Sequence, residues 1–368
     1  MRFLLIVLCL FLIIPLSADI VTSTETTFRG GDARLGIYDS TPILSAPTLL
    51  WSFDTPRPNR TTPAVADGLV YIGNEEGTFY ALEVNTGIER WRFKADGAVV
   101  STAAVKNGYL YVGSLDKSVY ALNSQNGISF WEYETDGQIY SSPLVVDDVV
   151  YIGSLDNHLY ALSAMSGELI WKYDTTGQIW SSPAYADDSI VVGSRSGRIT
   201  ALDTTGAEQW YIQTDKPVDA TPAIFDGVVY IGGRDGIMRA IDLRDGTILW
   251  QYNLKSEIYA SASVTESEIF VFGYNGVLHA FNRDDGAVLW QFELGNVAYS
   301  SPSVAGDVIY ALSENQGLLY ALDAYTGIEL WRYKTGEQGD YRSSAPVLVD
   351  GILFVGSNTE GLVVLGNS

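Results

Sequence analysis

Short apolar runs, many of them alternating with polar residues, fill most of this chain, and Gly, Asn and Asp cluster between them. An alternation with period two is typical of half-buried β-strands, and no long segment beyond the first eighteen residues follows a helical period. Hairpin signals recur along the chain as ADG (66–68), KNG (106–108), FDG (225–227) and VDG (349–351). Asp-Gly and Asn-Gly supply the positive φ angles of two-residue turns. The pattern therefore predicts an all-β protein.

The strands belong to a unit that repeats about every forty residues. One tryptophan marks each copy, at intervals of 39 to 41 residues: Trp51, Trp91, Trp131, Trp171, Trp210, Trp250, Trp290 and Trp331. A glycine stands four residues before each of these except the first. Each unit divides into four short strands, and four antiparallel strands repeated eight times predict an eight-bladed β-propeller. The tryptophans are predicted to be structural, because a large flat side chain fills the space between neighbouring blades.

The two ends of the repeat predict how the ring closes. The last unit stops at GLVVLGNS (361–368) and lacks its tryptophan strand, whereas PTLLWSF (47–53) is such a strand without a unit. Pairing the two completes the eighth blade and removes two sheet edges that would otherwise invite aggregation. The propeller is accordingly assigned to residues 45–368, preceded by a lead-in segment at 19–44.

Residues 1–18 have one basic residue, an apolar run and Ala18 at a plausible cleavage point, which is typical of a secretory signal peptide. A retained membrane anchor fits less well, because the run is interrupted at Pro15 and is short for a spanning helix. Cys9 is the only cysteine, and Val7 and Leu8 before it are not the small residues of a lipoprotein signal. We expect an exported protein, periplasmic or extracellular, without a lipid anchor.

The unit resembles a known family of repeats. YALDAYTGIELW (320–331) is similar to the tryptophan-docking motif of pyrroloquinoline-quinone (PQQ)-type propellers, and FRGGDARLGIYDSTPI (28–43) is similar to their lead-in segment. The resemblance covers essentially all of residues 45–368 and implies the propeller fold. One branch of the family consists of quinoprotein dehydrogenases. The other contains non-enzymatic propellers, such as the BamB-like outer-membrane assembly proteins, to which this chain is nearest in architecture.

The two branches imply different chemistry. A quinoprotein would hold PQQ with calcium, a catalytic Asp and often a pair of neighbouring cysteines, within blades enlarged by insertions. This chain has no cysteine pair, its blades are near minimal, and most of its carboxylates fall in turns. We therefore expect a protein without catalytic residues, metal or cofactor, with a PQQ-dependent alcohol or sugar dehydrogenase as the alternative.

Other functional classes fit the composition poorly. The net charge of −22 disfavours nucleic acid and anionic lipid as partners. His158 and His279 are the only histidines, too few for a zinc site, and His279 stands at a position of the repeat that four other units fill with tyrosine, as Tyr80, Tyr120, Tyr160 and Tyr320. Serine pairs recur at 141–142, 181–182 and 300–301, where small side chains suit the crowded axis better than a nucleophile without an aligned base.

The positions that depart from the repeat are the best candidates for function. Just before the Ser/Thr pair, at the predicted mouth of the central channel, the side chains are large or charged, and two more lie in an inserted stretch beside it: Arg60, Tyr140, Trp180, Asp219, Tyr259, Tyr299, Tyr341 and Arg342. Such a ring suits a peptide, a glycan or a flat cofactor, although the same side chains would also serve to pack neighbouring blades. The leading hypothesis is a binding or scaffold module whose partner is another envelope or extracellular protein, with a glycan-binding propeller as a further alternative.

Overall fold

In the computed structural model, residues 26–295, 298–313, 316–336, 345–357 and 359–367 are described. They form 32 strands and no helix, arranged as eight four-stranded antiparallel sheets. The predicted eight-bladed propeller is confirmed. Within these ranges the structure has no helix of the length and apolarity needed to cross a membrane.

Four blades follow directly from the chain order. Blade 1 contains β2 (Ala64–Ala66), β3 (Leu69–Gly73), β4 (Thr78–Glu83) and β5 (Glu89–Lys94). Blade 2 contains β6 (Ala104–Lys106), β7 (Tyr109–Gly113), β8 (Ser118–Asn123) and β9 (Ser129–Glu134). Blade 3 contains β10 (Leu144–Val146), β11 (Val149–Gly153), β12 (His158–Ser163) and β13 (Leu169–Asp174). Blade 4 contains β14 (Ala184–Ala186), β15 (Ser189–Gly193), β16 (Arg198–Asp203) and β17 (Glu208–Gln213).

The other four continue the ring. Blade 5 contains β18 (Ala223–Phe225), β19 (Val228–Gly232), β20 (Ile237–Asp242) and β21 (Ile248–Asn253). Blade 6 contains β22 (Ser263–Val264), β23 (Glu268–Phe272), β24 (Val277–Asn282) and β25 (Val288–Glu293). Blade 7 contains β26 (Ser303–Ala305), β27 (Val308–Ser313), β28 (Leu318–Asp323) and β29 (Glu329–Lys334). Blade 8 combines β30 (Val347–Val349), β31 (Ile352–Ser357) and β32 (Gly361–Gly366) with β1 (Thr48–Phe53).

The ring closes as the sequence predicts. Strand β1 pairs antiparallel with β32, with Phe53 opposite Leu362 and Thr48 opposite Gly366. Blade 8 is thus built from both ends of the propeller sequence, and β32 has a partner on each side. No outer edge of β32 remains open to another chain.

The tryptophans fasten each blade to the next. Each indole N–H donates to a backbone carbonyl about 33 residues further on, at 2.7 to 3.0 Å in the seven ordinary junctions. At one of them, the Trp171 ring lies against Gly206. A Cβ added to Gly206 would lie 2.7 Å from the ring, and the φ angle of Gly206 is +85°. Only glycine permits both this contact and this backbone conformation. The glycine four residues before each tryptophan therefore serves the preceding blade's tryptophan.

The eighth junction uses the lead-in. Here the Trp331 indole N–H donates to Ile43 O at 2.7 Å, and not to a carbonyl at the end of the third strand of the next blade. The backbone N–H of Ile43 in turn donates to Tyr310 Oη at 2.7 Å. Ile43 is fully buried. The residues just before the propeller therefore complete its ring of tryptophan contacts.

The rest of the lead-in, residues 26–43, crosses one end of the channel and is held there by two buried arginines. Arg34 donates to Pro143 O at 2.8 Å and to Pro183 O at 3.1 Å, on blades 3 and 4. Arg29 donates to Ala262 O at 2.6 Å on blade 6. Buried guanidinium groups need such acceptors because burial without hydrogen bonds is costly. The lead-in thus links several blades at the axis.

Candidate functional site

Hydroxyl groups line the channel just below the mouth. In seven places a backbone N–H donates to the hydroxyl of the equivalent residue in the next blade at 2.9 to 3.2 Å, through Thr62, Thr102, Ser142, Ser182, Thr221, Ser261 and Ser301. Every one of these hydroxyls already accepts a hydrogen bond from the backbone. The recurring Ser/Thr pairs are therefore explained by blade-to-blade bonding at the crowded axis.

A cavity of about 400 Å³ opens above this ring and is called the mouth cavity here. Its lining contains six of the eight residues singled out from the sequence, together with three more: Arg60, Val100, Tyr140, Trp180, Arg195, Asp219, Arg234, Tyr259 and Tyr299. Tyr341 and Arg342 lie outside the described residues. Deeper in the channel, Phe28 of the lead-in lines a smaller space of about 190 Å³.

Blades 3 and 4 contribute a stack of flat groups. The Tyr140 and Trp180 rings lie parallel, with centroids 4.3 Å apart and an interplanar angle of 11°. The Arg195 guanidinium carbon lies 4.6 Å from the Trp180 ring centroid, in a cation–π contact. The Trp180 indole Nε1 is buried without an acceptor among the residues that the structure describes. Unlike the N–H groups of the eight docking tryptophans, the N–H of Trp180 makes no hydrogen bond to the described residues.

Asp219 lies between two of the arginines. Its carboxylate oxygens are 3.4 Å from Arg195 Nε and 3.8 Å from Arg234 Nη1. Burial raises the pKa of Asp219 above its ordinary value, and the two guanidinium groups oppose that shift. Because both distances exceed ordinary hydrogen-bond length, the arginines are positioned near Asp219 but are not saturated by it.

Blades 5 to 7 contribute a cluster of tyrosines. The rings of Tyr259, Tyr274 and Tyr299 lie 5.2 to 5.4 Å from one another. Tyr259 Oη donates to Glu257 Oε2 at 2.7 Å, which lowers the pKa of Glu257. Burial, followed by this hydrogen bond, raises the pKa of Tyr259 to about 12. Tyr259 is therefore a neutral donor at physiological pH and no general base.

Arg60 stands across the cavity on blade 1, where its Nη2 lies 2.5 Å from Glu75 Oε1. The Nε atoms of Arg60 and Arg234 are both buried and, within the described ranges, neither has a hydrogen-bond acceptor. The lining carries three guanidinium groups, and three carboxylates lie close to them: Asp219, Glu75 beside Arg60, and Glu257 Oε2 at 3.7 Å from Arg234 Nε. The arginines therefore offer directed hydrogen-bond donors and no net positive charge.

Arg195 and Arg234 were missed by the sequence reasoning, and a second column of the repeat would have revealed them. They follow the second strand of their blades, at the same register as Leu115, Leu155 and Glu75. In each case the backbone N–H donates to a carbonyl of the preceding loop, as Arg195 N does to Gln178 O at 2.8 Å. An arginine at a position that holds leucine in blades 2 and 3 would have indicated these two candidate residues from the sequence.

The remaining candidates do not form a site. His279 is buried, stacks on Phe281 with the ring centroids 5.8 Å apart and donates its Nδ1–H to Val277 O at 3.1 Å, as a packing residue would. Across the part of the chain that is described, no three residues of His, Cys, Asp or Glu come together to hold a metal. Asp219 is the one carboxylate among the described residues that line the mouth cavity, and it faces two cations, which is the wrong environment for a calcium ligand.

The fold and the mouth cavity define a closed eight-bladed propeller whose channel is crossed by the chain's own N-terminal segment. The chain belongs to the family described as "Beta-alanine-activating enzyme, beta-propeller", whose model matches residues 55–366. The search of curated proteins returned no match. The resemblance to PQQ-type propellers is confirmed by the solved structures that share this fold.

These structures include both branches of the resemblance. BamB from Moraxella catarrhalis matches with a TM-score of 0.73 and 20% identity, over 88% of this chain and 98% of that one. A europium-containing methanol dehydrogenase matches with a TM-score of 0.80 and 14% identity, over 93% and 98%. The quinohemoprotein alcohol dehydrogenase from Comamonas testosteroni matches with a TM-score of 0.77 and 16% identity, over 92% and 79%. At such identities the likeness concerns the fold alone.

Proposed function

We propose that this protein is an exported, non-enzymatic propeller whose mouth cavity binds an exposed segment, rich in hydrogen-bond acceptors, of another envelope or extracellular protein. The observation that carries the proposal is the convergence of Arg60, Arg195 and Arg234 on one cavity of about 400 Å³. The export signal read in residues 1–18 supports the location.

The polar atoms of the cavity support an acceptor-rich ligand. The buried donors Trp180 Nε1, Arg60 Nε and Arg234 Nε have no acceptor among the described residues. A buried donor without an acceptor is unfavourable, so a segment rich in acceptors would gain by accepting from them. The flat groups around Trp180 would cover the segment's apolar atoms.

The competing functions fit the lining less well. A quinone held with calcium needs a cluster of oxygen ligands, and Asp219 is directed at arginines instead. A glycan platform needs an open ring face, whereas Tyr140 and Arg195 both stack on Trp180. These contacts favour the protein-binding module, which shares its fold with BamB.

Site-specific photocrosslinking in cells tests the proposal. A benzoyl-phenylalanine placed at Val100, which lines the mouth cavity, should capture one partner protein, and the same group at the exposed rim residue Phe130 should not. Trp180→Phe, which removes the indole N–H but keeps a ring, and Arg234→Gln should each weaken binding of the purified partner about tenfold.

Two outcomes would count against this function. Crosslinking from Phe130 but not from Val100 would move the interface away from the mouth. A stoichiometric quinone spectrum on titration with PQQ and calcium, together with substrate-dependent dye reduction, would instead establish the dehydrogenase alternative.

A further inference from the structure

The lead-in shows how an extended chain occupies the end of the channel opposite the mouth cavity. Its carbonyls each accept one N–H from the middle of an innermost strand, one blade after another. The bonds run to Asp32 O from Tyr185, to Ala33 O from Ile224, to Leu35 O from Val264 and to Gly36 O from Val304, at 2.9 to 3.0 Å. Blade 2 is engaged by Thr26, which exchanges two bonds with Val105 at 2.8 and 3.0 Å.

The hairpin geometry explains why these groups face the axis. In blade 1, Ala66 and Leu69 flank a two-residue turn and form a hydrogen-bonded pair, so the next pair, Val65 and Val70, is not bonded within the hairpin. The N–H of Val65 therefore points away from its own blade. The same register places the N–H of Val145 and of Leu348 toward the axis.

These three N–H groups differ from their equivalents in the other five blades. Val65, Val145 and Leu348 are buried, and their N–H groups donate to no other part of the chain that the structure describes. The Val145 carbonyl accepts from Lys106 Nζ at 3.3 Å, so its acceptor is in use while its donor is not. Buried backbone donors are nearly always paired in proteins. Blades 8, 1 and 3 therefore present hydrogen-bonding capacity that the lead-in does not use.

All three residues line one cavity of about 440 Å³, which is called the far pocket here. The lead-in, including Ile37 and Tyr38, forms one wall, and apolar side chains of the blades form much of the rest: Ala104, Val347 and Val349. Lys106 and Asp39 are at its polar margin. The far pocket combines an apolar surface with backbone donors at blade spacing.

We propose that the far pocket binds an extended peptide segment of a second protein, whose carbonyls accept the N–H groups of Leu348 and Val65 on the adjacent blades 8 and 1. The lead-in shows how many residues such a segment needs, because carbonyls within its residues 32–36 accept hydrogen bonds from four successive blades. Two adjacent blades then require two or three residues with small or apolar side chains. Each blade would contribute one N–H, as it does to the lead-in, so that the main chain supplies affinity and the pocket supplies selectivity. The site is separate from the mouth cavity.

The first measurement is amide hydrogen exchange of the free protein by NMR. The amides of Val65 and Leu348 should exchange at least tenfold faster than those of Ile224 and Val264, which the lead-in already protects. Equal protection in the free protein would show that the far pocket is filled by the chain itself, and it would overturn the proposal.

The second measurement uses a peptide probe. Random heptapeptides displayed on phage are selected on the wild-type protein and counter-selected on Asp39→Trp, which places a bulky ring at the margin of the far pocket. The best sequence, synthesised with blocked ends, should slow exchange at Val65 and Leu348. Its analogue with esters in place of alternate amides, which weakens the carbonyl acceptors, should bind at least tenfold more weakly.

Two variants make the result specific to the far pocket. Asp54→Trp, a similar change at an exposed position elsewhere, and Trp180→Phe in the mouth cavity should leave peptide binding unchanged. Failure to select any peptide that discriminates wild type from Asp39→Trp would overturn the proposal. Peptide binding that Trp180→Phe abolishes would assign the peptide to the mouth cavity and also contradict it.

Discussion

The rim of the propeller and its axis are built from the same forty-residue unit, yet they follow opposite rules. At seven of the eight junctions of the rim one arrangement is repeated, in which an indole N–H donates to the next blade's carbonyl and the ring lies on a glycine. At the mouth, equivalent positions hold residues as different as Arg60, Trp180 and Asp219. The repetition serves stability, because every junction must close the same gap. The mouth positions that differ from blade to blade are the ones at which the protein can recognise a particular ligand.

The largest expected effect comes from breaking the rim at its closure. Deleting residues 45–53 removes β1, the Trp51 contact to Val84 O and the outer partner of β32. We expect a loss of more than about 5 kcal/mol, the lower end of typical domain stability, with aggregation through the open edge. Thermal melts and light scattering test this. Leu50→Ala, an exposed change in the same strand, is the control, and a monomeric deletion variant with unchanged melting would refute the closure argument.

The next test concerns the lead-in at the axis. Arg34→Met removes a buried guanidinium that donates to Pro143 O and Pro183 O, and it leaves those carbonyls without that donor. Each buried carbonyl left without its donor costs about 1–3 kcal/mol. Arg244→Met is the matched control, since Arg244 is fully exposed and pairs with Asp242 at the surface, where water and salt screen the ion pair and its loss should be small. Denaturant unfolding of both variants gives the two values. Equal, small losses would mean that the lead-in is not integral to the ring.

Two tryptophans nine residues apart compare rim and mouth directly. Trp171 docks on blade 4 through its N–H to Thr204 O at 3.0 Å, so Trp171→Ala should leave a cavity and cost about 3–5 kcal/mol. Trp180 has no such docking bond, and Trp180→Ala should cost about 1 kcal/mol while weakening partner binding. Thermal melts test the stability difference without any knowledge of the partner. Equally large losses would make Trp180 a packing residue and remove the best candidate of the mouth cavity.

The same contrast explains what the sequence could predict. The fold could be predicted because tryptophan and glycine recur at the same positions of each repeat. Trp180 and Asp219 could be predicted as candidates because they differ from the residues at the equivalent positions of other repeats. Arg195 and Arg234 follow the second strand of their blades, at a loop position that holds leucine in blades 2 and 3. That position lies outside the strand pattern from which the sequence argument starts. The path of the lead-in could not be derived, because it occurs once and has no register with the repeat. Its anchors, Arg29 and Arg34, depend on carbonyls more than one hundred residues away.

The smallest expected effect lies in the tyrosine column, where His279 replaces the usual side chain. Burial lowers the pKa of His279 below its ordinary value of 6.5. The unfolded chain therefore takes up a proton more readily than the folded one as the pH falls below 6.5, and the stability that neutral His279 provides is lost across that window. The loss is bounded by about 1.4 kcal/mol per pH unit for one proton.

His279→Tyr isolates this contribution from the many carboxylates that also titrate under acid conditions. Tyrosine fills the equivalent position in blades 1, 2, 3 and 7, as Tyr80, Tyr120, Tyr160 and Tyr320, and it stays neutral throughout the range. The difference in unfolding free energy between the variant and the wild type should grow in favour of the variant from pH 7 to pH 5. Phe281→Tyr, on the same strand but without a titrating group in this range, should show no such trend. A constant difference between His279→Tyr and wild type at all pH values would mean that His279 titrates alike in the folded and unfolded chains. His279 would then contribute to stability only through its shape, by filling the space that tyrosine fills in other blades.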